Sequence, residues 1–265
     1  MFDNKVYKRM CEHERYAKSL GYDIVFMSIY GAQNYGVETP ESDVDSYCVV
    51  MPSLEDLALR HAPVSSEIEY RIDGEPTGEH IVIKDIRIFK DALMNGDIQA
   101  LEAAYSEYFC RMYCEDTYFS YGEIFDGAMT AFYYRVRSDL QKFISSGKAQ
   151  NLNWDLKKDR KSFLRIVNIY HAAIKAMNHD NNPFELKTDT LRHFCIKIKT
   201  GEVSKERALA TFNPSQLLYS LDDVYCHDWI PFYTKEEVKK ELDNAVIKLF
   251  KEKFEGKINE RDSIS

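Results

Sequence analysis

The chain has 265 residues, 45% of them hydrophobic and 29% charged, with a formal charge of −8. That composition describes an ordinary globular chain with room for one large domain or two small ones, and its acidity argues against broad nonspecific nucleic-acid binding. No window approaches the ~18 consecutive apolar residues of a membrane helix. The opening Met-Phe-Asp-Asn-Lys carries no apolar signal core, so a cytoplasmic protein without a membrane partner is expected.

In chain order, residues 4–20 place Val6, Met10, Tyr16 and Leu20 among charges, an amphipathic helix stopped at Gly21. "YDIVFMSIY" is a β-branched and aromatic strand, followed by the glycine-containing turn "GAQNYG". "VDSYCVVM" is a second strand, and Ser53 caps a short helix, "LEDLALR". "EIEYRI" and "EHIVIKDI" flank the turn "DGEPTG" and form a hairpin. Helices are expected over "IRIFKDALMNG" and "IQALEAAYSEYF".

Beyond residue 125 the patterns are helical: "GAMTAFYYRVRSDLQKFISSG", "DLKKDRKSFLRIVNIYHAAIKAMNH", "TDTLRHFCIKIKTG", "SKERALATF" and "TKEEVKKELDNAVIKLFKEKF". The expected division is an α/β domain over 1–125, a helical domain over 126–254 and a polar tail over 255–265, an α+β chain. The six cysteines are scattered. Cys110 and Cys114, four apart in a helical pattern, lack a second ligand pair for zinc. Trp154 and Trp229 read as packing anchors, and His171 as a packed histidine among apolar neighbours.

The chemistry lies in "SIYGAQNYGVETPESDVDSYCVV". Gly31 follows a strand directly, where a glycine lets backbone N–H groups approach an anion, and the segment after it can open a helix that favours phosphate. Asp43 and Asp45 are one residue apart, which in a strand puts both carboxylates on one face. Two crowded carboxylates resolve their repulsion around a Mg²⁺ ion, which prefers carboxylate oxygen and substrate phosphate. A phosphate cradle beside such a pair points to phosphoryl or nucleotidyl transfer.

These residues resemble the signature of the DNA polymerase β-like nucleotidyltransferase superfamily. They are similar in particular to a bacterial and phage branch of predicted nucleotidyltransferases, with Gly31, Tyr35, Gly36, Thr39, Pro40, Ser42, Asp43 and Asp45 matching its pattern. Gly96, Leu101 and Glu102 match its next segment, and the likeness spans about residues 25–210. The resemblance implies an N-terminal nucleotidyltransferase domain with a short mixed β-sheet flanked by helices, followed by an all-helical domain. It also implies transfer of an NMP from an NTP such as ATP to an acceptor hydroxyl of RNA, protein or a small molecule, with no sequence-specific DNA binding. Two Mg²⁺ ions would be held by Asp43, Asp45 and a third acid. Gly31, Ala32, Gln33, Tyr35 and Ser42 would hold the nucleotide, with Lys161 and Arg165, and also Lys157 and Lys158, offering cations from the long helix.

Two departures stand out. Ala32 replaces the usual serine, removing one hydrogen bond to the triphosphate, a loss of ~1.5–3 kcal/mol. The family's third acid falls where this chain has His80. Glu79 could serve through a one-residue bulge, with Glu67, Glu69 and Asp85 as alternatives, or no acid at all. An NTP-binding regulatory protein without turnover is the competing expectation.

Overall fold

The computed structural model describes residues 4–111, 121–180, 182–186 and 188–262. The β-branched runs form β1 (Ile24–Tyr30), β2 (Asp45–Val50), β3 (Ser65–Ile72) and β4 (Glu75–Asp85), and a short β5 (Phe109–Arg111) is added. They make one mixed sheet in the order β3-β4-β2-β1-β5, with only the β2–β4 pair parallel. Asp73 (φ 51°) and Gly74 (φ 87°) turn the β3–β4 hairpin, the left-handed pair that a two-residue Asp-Gly loop demands. β5 lies where the sequence pattern predicts a continuing helix. Pairing with the free edge of β1 outweighs the local propensity there.

The helices are α1 (Asn4–Ser19), α2 (Leu54–Ala58), α3 (Ile86–Met94), α4 (Ile98–Tyr105), α5 (Tyr121–Ser145), α6 (Lys148–Asn151), α7 (Lys157–Met177), α8 (Asp189–Thr200), α9 (Lys205–Thr211), α10 (Pro214–His227) and α11 (Lys235–Asp262). Ser53 caps α2 in a reciprocal box with Asp56, as its sequence implies. α10 has no counterpart among the predicted elements. Asn213 caps it by accepting from Ser215 N–H and Gln216 N–H, and Pro214 occupies its first turn. The boundary expected at 125/126 falls inside α5. The helix α11 continues to Asp262, into the segment expected as a tail, and 263–265 and Cys114 lie outside the described residues.

Strand alternation divides the core. Val44, Cys48, Val50, Ile81 and Ile83 face α1 and pack on Val6, Met10 and Ala17. Tyr47, Val49 and Val82 face the opposite way, into a larger cluster that runs without a break from Phe89 of α3 through Phe132 of α5 and Phe163 of α7 to Leu242 of α11. The architecture is therefore the expected α+β one, with helices following the sheet. Among the described residues, no helix is long and apolar enough to cross a membrane.

Candidate functional site

Asp45 opens β2 and is half-buried, on the same face as Tyr47 and Val49. Asp43 lies just before the strand and is exposed. The connection between them and β1 is built by its own side chains. Gly31 adopts φ +92°, a conformation in which a side chain would be strained. Tight turns, with Asn34 N–H donating to Gly31 O and Gly36 N–H to Gln33 O, fill residues 31–36 in place of the expected helix. Their shape follows from Asn34, whose buried side-chain amide donates to Ile29 O and Glu102 O. Gly36 (φ +67°) admits no Cβ, which would come within 2.8 Å of Arg192. Gln33 Nε2 donates to Asp43 O at 2.7 Å, tying this turn to the acidic pair. The Thr39–Ser42 turn closes through Ser42 N–H to Thr39 O and Thr39 N–H to Ser42 Oγ, both 2.8 Å.

These elements and α4, α7 and α8 enclose a cavity of about 310 Å³. It is lined by Gly31, Ala32, Gln33, Tyr35, Ser42, Asp43, Asp45, Lys161 and Arg165, all singled out in the sequence. Lys161 Nζ stands 3.8 Å from Asp43 Oδ2, whereas Lys157 and Lys158 are exposed and outside the lining. His171, Trp154 and Trp229 also lie elsewhere. His171 packs on the Tyr170 and Phe212 rings, and burial lowers its pKa to about 4.

Glu79 is not brought to the cavity. It alternates with His80 on β4 and so faces α1, where Arg9 Nε lies 3.0 Å and His13 Nε2 3.5 Å from its Oε2. The Arg9 contact is an ion pair without hydrogen-bond alignment. Burial alone would raise the Glu79 pKa, but His13 and Arg9 hold it below the ordinary value. His80 faces Asp45 instead. Its N–H donates to Asp45 Oδ1 at 2.9 Å, and its ring Nδ1 is 3.7 Å from the same oxygen. Glu69 opposes His80 and Glu67 opposes Val82 across β3–β4, so both acids share the Asp45 face of the sheet. Asp85 is committed elsewhere: it caps α3 and pairs with Arg87 at 2.7 Å. Among the described residues, no three His, Cys, Asp or Glu side chains converge as a ready-made metal cluster. Asp43 and Asp45 alone suit Mg²⁺, which is commonly held by one or two carboxylates and completed by water and substrate phosphate.

Two further groups complete the cavity. Lys199, from α8, is 5% exposed; its Nζ donates to Ser42 Oγ at 2.8 Å and Val37 O at 3.0 Å. Burial, then the nearby Lys161 and Lys157 ammoniums, lower its pKa to about 8, with Glu38 and Asp43 opposing. Arg160 fixes that end of α8 by donating to Lys199 O at 3.2 Å and to Trp154 O. A signal for Lys199 exists in the sequence: it lies four residues after Cys195, on the helix's buried stripe. Glu102, from α4, accepts from Tyr35 OH at 2.5 Å and Gly31 N–H at 2.8 Å, so the Gly31 amide expected to meet phosphate is already engaged. Burial pushes the Glu102 carboxyl up, against those two hydrogen bonds. Burial also raises Asp45, opposed by His80 and reinforced by Asp43 and Glu79.

The sequence matches no family model and no curated protein. Among solved structures it is similar to a nucleotidyltransferase-like protein from Exiguobacterium sibiricum 255-15. The two are 12% identical, with 91% of this chain and 89% of that one covered and a TM-score of 0.28. At that distance the functional reading rests on the cavity itself.

Proposed function

We propose that the protein is a nucleotidyltransferase that moves an NMP from an NTP to an acceptor hydroxyl and releases pyrophosphate. The observation that carries this reading is one cavity with two chemistries facing each other. Asp43 and Asp45 stand on the sheet side, and Lys161, Arg165 and Lys199 on the helical side. The name of the structural neighbour is of the same kind. Lys161, Lys199 and Arg165 would hold phosphate oxygens, and Ser42, already held by Lys199, would meet them with its hydroxyl. Asp43 and Asp45 would hold Mg²⁺, which neutralises the triphosphate and its developing charge during in-line displacement. Glu67, Glu69 and His80, on the Asp45 side of β3 and β4, are the groups available to assist the acceptor, in place of Glu79.

Incubation with an α-labelled NTP, Mg²⁺ and total RNA or protein tests the reading. Label transfer is expected from the wild type and is lost in Asp43→Asn/Asp45→Asn. Equal transfer by the double variant would sink it. A binding protein without turnover is the second reading, favoured by the engagement of Gly31 N–H with Glu102 and of Glu79 with Arg9. It predicts NTP-dependent thermal stabilisation without pyrophosphate release.

A further inference from the structure

Among the described residues that line the cavity, one buried side-chain polar atom is left without a hydrogen-bond partner. Asn168 lies in the interior of α7 and is 6% exposed, yet its Oδ1 is buried without a hydrogen bond. An amide oxygen buried in this way is costly, and native structures leave few of them. Its position gives the reason. Lys161, Leu164, Arg165 and Asn168 form one stripe of α7 facing the cavity. Lys161 stands beside Asp43 at one end, and seven residues of helix put Asn168 about 10 Å further along. Leu164 and Arg165 lie between them on the stripe, and buried Ile98 of α4 is part of the same lining.

We propose that Asn168 recognises the nucleobase of the NTP, its Oδ1 accepting a ring or exocyclic N–H while Lys161 and Lys199 take the phosphates nearer Asp43. This rests on the nucleotidyltransferase reading and adds to it a division of the cavity into a phosphate end and a base end. A buried amide kept for a ligand has a distinctive consequence: removing it should help the free protein and harm the complex.

The test compares Asn168→Leu with the wild type by calorimetric titration of each of the four NTPs and of inorganic tripolyphosphate, all with Mg²⁺, together with thermal unfolding. The leucine variant is expected to unfold at or above the wild-type temperature. It should bind tripolyphosphate as the wild type does and lose roughly tenfold or more in affinity for the tightest NTP. Undiminished NTP binding by the variant overturns the assignment and leaves the enzyme reading standing. An equal loss for NTP and tripolyphosphate overturns it too, because the change would then be a distortion of the whole cavity. If the wild type binds no NTP, both readings fall. Asn168→Ala, read in the same way, serves if the leucine variant does not fold.

Discussion

The two faces of the sheet treat their polar groups in opposite ways. On the α1 face, Arg9, His13, Glu79 and Ser46 are inserted among apolar side chains and answer one another. Glu79 is flanked by Arg9 and His13, and His13 Nδ1 lies 2.8 Å from Ser46 Oγ. On the cavity face, burial and like charge weigh on groups even where they are hydrogen-bonded. Lys199 is crowded by like charges, Asp45 is held above its ordinary pKa by burial, and Asn168 Oδ1 has no partner. On the α1 face His13 Nε2 and Glu79 Oε2 also lack hydrogen bonds but stand among opposite charges. Asn168 Oδ1 has no such neighbour among the described residues and costs stability unless a ligand meets it. The same residue types thus serve different ends, and orientation across one strand decides which.

The largest expected effect breaks the α1 side. Glu79→Leu leaves Arg9 and His13 without their carboxylate and should cost about 2–4 kcal/mol in urea unfolding at neutral pH. Were Glu79 a metal ligand instead, the variant would lose metal binding with little loss of stability.

Lys199→Met probes the other face. It should weaken tripolyphosphate binding roughly tenfold with no loss of stability, since it removes a desolvated cation. The pH dependence has a definite sign. The folded pKa is about 8 and the ordinary lysine value 10.5, so the unfolded chain holds more protons between them. Wild-type stability relative to Lys199→Met should therefore rise as pH increases from about 8 to 10.5. A relative stability that falls over that window would contradict the burial of the ammonium. His171 gives an effect of the same sign and similar size at acid pH. Its folded pKa of about 4 against 6.5 means that stability relative to His171→Phe should rise between those values. The smallest effect is expected at Lys18, whose 2.6 Å pair with Glu14 lies on the outer side of α1. Lys18→Ala should change stability by less than about 0.5 kcal/mol, read from the same urea titrations.

Much of the fold is legible in the sequence because its signals are local. The alternation of "EIEYRI" and "EHIVIKDI" around Asp-Gly marks the hairpin, and Ser53 with Asp56 marks the start of α2. The acidic pair and the glycine turn are contiguous, so their neighbourhood is readable as well. The cavity gathers Gly31, Ala32, Gln33, Tyr35, Ser42, Asp43 and Asp45 with Lys161 and Arg165 of α7, though not Lys157 and Lys158. Glu79 is the exception. A bulge near residue 79 would carry it to the Asp45 face. The strand is irregular just before it, where the β3–β4 register shifts between Glu69–His80 and Arg71–Pro76, yet Glu79 Oε2 still lies 3.0 Å from Arg9 Nε on the α1 side.

What the sequence by itself determined is the chemistry available: an acidic pair behind a glycine turn, and cations spaced along one long helix. Tertiary structure alone decided who meets whom. Lys199 reaches Ser42 across 157 positions and Glu102 reaches Gly31 across 71. Such contacts depend on how α4 and α8 dock on the larger core. Local propensity and periodicity carry no information about that docking.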